Sequence, residues 1–185
     1  MGAALSIAAG LGLAAACGFR IFTPLLIASL AARAGYLDLG SGFSWIESTP
    51  ALIAFSVATA AEIAAYYVPW LDNLLDTVAT PAAVIAGALL AASVVTGFDP
   101  WLKWTLATIA GGGLAGAVQL TTTGVRGAST LMTGGLGNIA VSSIELLGAI
   151  GLSVLSITWP LLALVVVAIA LLLIARRRAR SAAAG

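Results

Sequence analysis

The chain has 185 residues, 61% of them hydrophobic and 8% charged, with a formal net charge of +1. Soluble domains carry about 25% charged residues, so this composition belongs in lipid, and the near-neutral balance points to no nucleic acid or acidic partner. With no histidine and one cysteine, the chain excludes haem ligation, a typical zinc site, a Ser-His-Asp triad and an internal disulfide.

The first predicted element, Ala3 to Ala32, exceeds the roughly 20 apolar residues that cross a bilayer. No lysine or arginine precedes it, and Ala14-Ala15-Ala16-Cys17 has alanine where a lipoprotein signal usually has leucine, so it reads as a membrane segment and not a leader. Arg20 falls near its centre. Gly18 tolerates any backbone angle, and Thr23-Pro24 can cap and start a helix, so two half-helices are expected to meet at a break holding Arg20.

Arg33 to Thr49 follows as a polar loop, and Ser48-Thr49-Pro50 starts an apolar run that ends in the aromatic belt around Tyr66, Tyr67 and Trp70. Glu62 lies inside this run. From Trp70 to Thr80 the pattern is amphipathic. Asp72, Asn73 and Asp76 share one face and are candidates for a gate or a cation site; the other reading is a linker at the interface. Thr80-Pro81 is expected to restart a helix running to Thr96, and Asp99-Pro100 another, running to about Thr123. Gly124 to Asn138 is too rich in glycine and hydroxyls for a lipid-facing helix. Ile139 to Thr158 is apolar around Glu145, Trp159-Pro160 opens the last helix, and Arg176-Arg177-Arg178 with Arg180 closes it. The basic tail is expected in the cytoplasm, and six crossings would bring the N-terminus there too.

The chain reads as an internal duplication, the alternative being coincidence in a sequence this rich in Ala, Gly and Leu. Gly18-Phe19-Arg20-Ile21-Phe22-Thr23-Pro24-Leu25 matches Gly124-Val125-Arg126-Gly127-Ala128-Ser129-Thr130-Leu131, and Thr59-Ala60-Ala61-Glu62 matches Ser142-Ser143-Ile144-Glu145. Each half then holds a broken arginine segment, a glutamate helix and a third helix opened by proline. Three crossings per half would invert the second half, a recurrent transporter plan; re-entrant arginine segments would leave the halves parallel. The sequence leaves both open.

Arg20, Arg126, Glu62 and Glu145 are the charges placed within apolar spans, and each costs roughly 2.5–3.5 kcal/mol at a membrane helix centre. They are expected to face inward and pair, arginine with glutamate. One reading makes them structural bridges. The other makes an anion site of the guanidinium groups and half-helix N-termini, with Glu62 and Glu145 as ion-pair or proton-coupling groups. Thr23, Gln119, Thr123, Ser129, Thr130 and Asn138 are read as further substrate-binding donors, although such hydroxyls can also bond their own helix. Gly134-Gly135-Leu136-Gly137 is no phosphate loop, since no Gly-Lys-Ser/Thr follows, and Gly111-Gly112-Gly113 suits close helix contact.

The runs Gly18-Phe19-Arg20, Glu62-Ile63-Ala64-Ala65-Tyr66-Tyr67-Val68-Pro69, Leu71-Asp72-Asn73-Leu74-Leu75-Asp76, Ala79-Thr80-Pro81-Ala82-Ala83 and Ser129-Thr130-Leu131-Met132-Thr133-Gly134-Gly135-Leu136-Gly137-Asn138 resemble a family of small bacterial integral-membrane proteins. That family is catalogued as a domain of unknown function, number forty-one twenty-six. The resemblance covers nearly the whole chain; it implies an integral-membrane protein and supplies no activity.

The expectation is therefore an all-α protein of the bacterial inner membrane with about six transmembrane segments. It would form one domain over 1–185: a half over 1–97, a related half over 98–176 (an inverted repeat) and a basic cytoplasmic tail over 177–185. Interrupted or re-entrant helices are expected at 3–32 and 103–137. The expected function is a transporter or translocase for a small anion or an anionic lipid head group, in contact with the bilayer, with homo-oligomerisation left open. No enzyme activity, cofactor, metal or nucleic acid is expected. A non-transporting membrane scaffold is the alternative, and an intramembrane enzyme using its carboxylates comes third.

Overall fold

A computed structural model describes the backbone of residues 2–66 and 69–183 and the side chains of 2–65, 78–176 and 179–180. The regular structure among the described residues is all helical: α1 (Ala3–Cys17), α2 (Phe22–Arg33), a 3-10 turn (Ser44–Glu47), α3 (Thr49–Tyr66), α4 (Pro69–Val94), α5 (Pro100–Leu106), a π-helical stretch (Ala107–Gly112), α6 (Gly113–Thr133), α7 (Asn138–Thr158) and α8 (Pro160–Ala183). Among them, α7 is the helix long and apolar enough to cross a membrane, and α1, α2, Thr49–Ala65, Val78–Val94 and Pro160–Arg176 are shorter apolar helices.

Proline opens α4, α5 and α8, where its missing N–H takes nothing from the helix. Asp99 adds a side-chain cap to α5, accepting from the N–H groups of Trp101 and Leu102 at 3.1 Å each. Two expected boundaries are corrected. Pro81 lies inside α4 and restarts nothing. Gly124 to Thr133 is helical, so Arg126 sits in unbroken helix, and the interruption comes at residues 134–137. Gly134 there adopts the left-handed conformation, φ 63°, that stops a helix with little strain when the residue has no Cβ.

The core is built around α1, whose stretch from Leu13 to Cys17 is wholly buried; a helix apolar on all sides needs neighbours on all sides. Those neighbours fix the chain directions. Gly10 lies against Ala91 and Gly87 against Ala14, so α4 runs antiparallel to α1. Gly111 meets Ala14 and Gly18 meets Ala115, so α6 runs parallel to it. Ser156 reaches Gly12 while Gly148 faces Phe19, so α7 returns antiparallel. Ala163 sits at Gly12, and Ile174 shares a cleft with Phe19, so α8 runs out again.

α2 does not continue α1. Its outer part, Ile27 to Ala34, lies beside Val154 and Ile157 at the end of α7, and the following Gly40 donates to the carbonyl of Ser93. Near by, Ser6 of α1 accepts from the N–H of Thr96. The start of α1 and the end of α2 therefore share one end of the bundle, with a reversal between them about 22 Å in, at 1.5 Å per residue of α1. Because this hairpin returns, the start of α1 and the end of α8 lie at opposite ends of the bundle.

Candidate functional site

The reversal at residues 18–21 builds the site. The N–H groups of Gly18 and Phe19 close the last turn of α1 onto Ala15 and Ala16, each at 3.0 Å. Gly18 is required by its neighbour: a Cβ there would stand 2.5 Å from the Ala115 carbonyl oxygen and from Val118 Cβ. The chain then turns, and α2 begins with N–H groups that its own helix cannot satisfy. Glu62, carried in by α3, supplies the partner. Its Oε1 accepts from Ile21 N at 2.8 Å and its Oε2 from Phe22 N at 3.2 Å. A carboxylate thus sits at a helix N-terminus, where both the donors and the helix dipole favour negative charge.

Around it lie the other three charges. Arg20 Nη2 donates to the Ser142 carbonyl on α7 at 2.8 Å. One turn further along α7, Glu145 Oε1 accepts from Arg126 Nε at 3.1 Å, and Oε2 pairs with Arg126 Nη2 at 3.1 Å. The first contact is a charge-assisted hydrogen bond and the second an ion-pair contact. Both arginines act electrostatically on Glu62, and Arg20, Arg126 and Glu145 each have further polar interactions. The exposed fractions are 2% for Arg20, 8% for Glu62, 1% for Arg126 and 3% for Glu145, so all four groups are buried, and both arginines lie within electrostatic reach of Glu62. The expected pairing is thereby modified: Arg126 meets Glu145 side chain to side chain, whereas Glu62 is held by backbone N–H groups of α2.

Of the other predicted site residues, Thr23 stands in the first turn of α2 and is buried. Gln119, two turns before Arg126 on the same face of α6, is buried and donates to Thr123 Oγ1 at 3.2 Å. Asn138, at the head of α7, donates to Thr130 Oγ1 at 2.9 Å, and Thr130 donates to the Arg126 carbonyl at 3.0 Å. Ser129 belongs to the turn: its carbonyl accepts from Thr133 Oγ1, which accepts in turn from Gly137 N at 2.9 Å. The hydroxyls of Thr121, Thr122, Thr130 and Thr133 all donate to carbonyls of their own helix. The side chains of Asp72, Asn73 and Asp76 lie outside the described residues.

Two members of the site were visible in the sequence only as part of the repeat. Thr59 and Ser142 each precede a site glutamate by three residues, which puts them on its face of the helix. Both are buried. Together with Thr23, their hydroxyls have no hydrogen-bond partner among the described residues. Buried hydroxyls ordinarily find one, in protein or in ordered water. No curated protein and no solved structure matches the chain. A family model does match, over residues 7–180, and the chain belongs to that family, described as Domain of unknown function (DUF4126).

Proposed function

We propose that the protein is a multi-pass membrane transporter or translocase for a small anionic solute or an anionic lipid head group, in a bacterial inner membrane with its basic tail in the cytoplasm. In this reading α3, α4, the α5–α6 rod, α7 and α8 cross the bilayer, and α1–α2 enters and returns. Backbone turns inside a membrane are tolerated where they are enclosed by protein, as residues 18–21 are. After each arginine the chain leaves the site, turns, comes back bearing glutamate and then passes out once more. The segment α2–α3–α4 does this in the opposite sense to the end of α6 with α7 and α8, which supports an inverted repeat beginning at the arginines.

The observation that carries the proposal is the seat of Glu62. Two N–H groups at a helix start, beside a guanidinium, already hold an anion, and that anion is the protein's own carboxylate. A substrate anion takes the same donors once Glu62 accepts a proton and withdraws. One anion and one proton then enter together, and the net charge of the chamber is unchanged. Arg126 and Glu145 balance the remaining field, while Thr23, Thr59 and Ser142 supply hydroxyls to the guest. The burial of all four charges supports a second reading, a membrane scaffold in which they only fix helix packing.

Anion uptake into proteoliposomes under an imposed pH gradient separates the two. Arg20→Gln and Arg126→Gln are expected to abolish uptake while the protein keeps its helical circular dichroism. Glu62→Gln is expected to retain anion exchange and lose the response to the gradient. Undiminished uptake in either arginine variant would overturn transport through this chamber.

A further inference from the structure

We infer that the guest is an anionic amphiphile, whose acyl chain lies in a cleft between α1, α6, α7 and α8 while its head group reaches the charged chamber. The inference rests on the anion-site reading above and adds to it the class of substrate.

The cleft has a volume of about 360 Å³ and is lined almost wholly by apolar groups, among them Phe19, Val118, Thr122, Gly148, Gly151 and Val167. That volume lies in the usual range for a small-molecule pocket, roughly 300–1,000 Å³. Along α8 it extends from Val166 to Ile174, about 12 Å at 1.5 Å per residue. Its floor is shaped by two glycines of α7. Gly148 faces the Phe19 ring, and a Cβ on Gly151 would meet nothing within 4 Å. An apolar cleft in a membrane protein fills with lipid chains as a matter of course, so its direction matters more than its volume.

Three of its walls lead to the same place. Just past the end of α1 the lining residue Phe19 is followed by Arg20. On α6 the lining residue Thr122 is followed one turn later, on the same face, by Arg126. On α7 the lining residue Gly148 is preceded one turn earlier by Glu145. α6 runs parallel to α1 and α7 antiparallel, so all three steps move toward the same end of the bundle. The cleft therefore stops where the charges begin. A chain in it gains nothing from the hydrophobic effect over a chain in lipid. What the cleft supplies is position: the attached head is held at the depth of Arg20 and Arg126 without crossing hydrocarbon unaccompanied.

The test uses the full chain in phosphatidylcholine nanodiscs, with empty nanodiscs as blank, titrated calorimetrically with dodecyl phosphate and separately with inorganic phosphate. Gly151→Leu fills the cleft and touches none of the charges. It is expected to weaken dodecyl phosphate at least tenfold and leave inorganic phosphate unchanged, whereas Arg20→Gln weakens both. Equal binding of dodecyl phosphate to Gly151→Leu and to the parent would overturn the cleft assignment and leave the anion site standing. Binding of inorganic phosphate indifferent to Arg20→Gln, or no binding of either compound, would overturn the anion site itself. Should Gly151→Leu misfold by circular dichroism, Leu155→Trp narrows the same cleft from the next turn of α7, with the same outcomes.

Discussion

The two arginine segments bury the same side chain by opposite backbone routes. At Arg20 the helix stops and the chain reverses, so the start of α2 offers N–H groups with no partner in their own helix. At Arg126 the helix runs on to Thr133, so its backbone N–H groups find their acceptors within the helix. The consequence shows in what each half does with its carboxylate. Glu62 is taken by the backbone of α2, Glu145 by the guanidinium of Arg126. An arginine in an unbroken helix can balance a charge; a broken helix beside an arginine can also receive one. In the proposed transport the first half is thus the receptor of the pair and the second its counterweight.

The largest effects are expected in the second half. Arg126→Ala leaves Glu145 buried without its bridge, and removing one partner of a buried pair costs about 3–5 kcal/mol. The double change Arg126→Leu with Glu145→Leu removes both charges together and is expected to regain most of that loss, as apolar replacement of buried pairs often does. Thermal unfolding in one detergent measures both. Equal losses in the single and double variants would show that the Arg126–Glu145 bridge is not what balances the second half.

The first half answers differently. Glu62→Ala empties the seat at the start of α2 and leaves buried donors unmet, at about 1–3 kcal/mol. Here an added anion is a substitute for the lost side chain. A salt of phosphate at a hundred times its dissociation constant is expected to raise stability by about 2.7 kcal/mol through mass action. The same salt is expected to leave Arg126→Ala unrescued, because that variant lacks a cation. If phosphate stabilises both variants alike, the distinction between receptor and counterweight fails.

Much of this contrast could be read from the residues alone. Gly18, Arg20 and Thr23-Pro24 announced the first break, and the burial cost of isolated charges pointed to the pairing seen between Arg126 and Glu145. The second break was misplaced because Gly124, Gly127 and the hydroxyls around them suggest a loop, yet each of these residues is tolerated in a helix whose neighbours hold it. Thr121, Thr130 and Thr133 show how: each donates to the carbonyl four residues back and so meets its hydrogen-bonding need without leaving the helix. Pro81 misled for a related reason, since a proline within a long helix breaks it only if packing does not carry the strain. The capture of Glu62 by backbone N–H groups was not legible at all. It depends on α3 arriving at the start of α2 from a loop of ordinary composition, a tertiary fact with no local signal. The return of α2 alongside the bundle was open for the same reason: a break tells that the chain can turn, and only packing against α7 tells which way.

The smallest effects concern the turns that end the outgoing arm of each hairpin, and they ask whether the halves still share a plan away from the charges. α2 ends in a paired closure, with Gly35 N donating to the Ala32 carbonyl at 3.0 Å and Tyr36 N to the Ala31 carbonyl at 2.9 Å, and Gly35 at φ 77°. α6 also ends in a left-handed glycine, Gly134, but its turn is completed by the Thr133 hydroxyl accepting from Gly137 N. Alanine at either glycine must hold a left-handed angle, at a cost of about 1–2 kcal/mol. Gly35→Ala and Gly134→Ala are therefore expected to lower thermal stability to a similar degree. They should diverge in binding. α2 is anchored near its outer end by Ser29 donating to the Ile46 carbonyl at 2.6 Å, so strain at Gly35 is confined there. The short arm from Arg126 to Thr133 has only two turns of helix between the strained residue and the guanidinium, and Gly134→Ala is expected to weaken phosphate binding several-fold where Gly35→Ala does not. Equal binding in the two variants would mean that Arg126 is fixed by Glu145 alone and that the turn of the second half contributes nothing to the site.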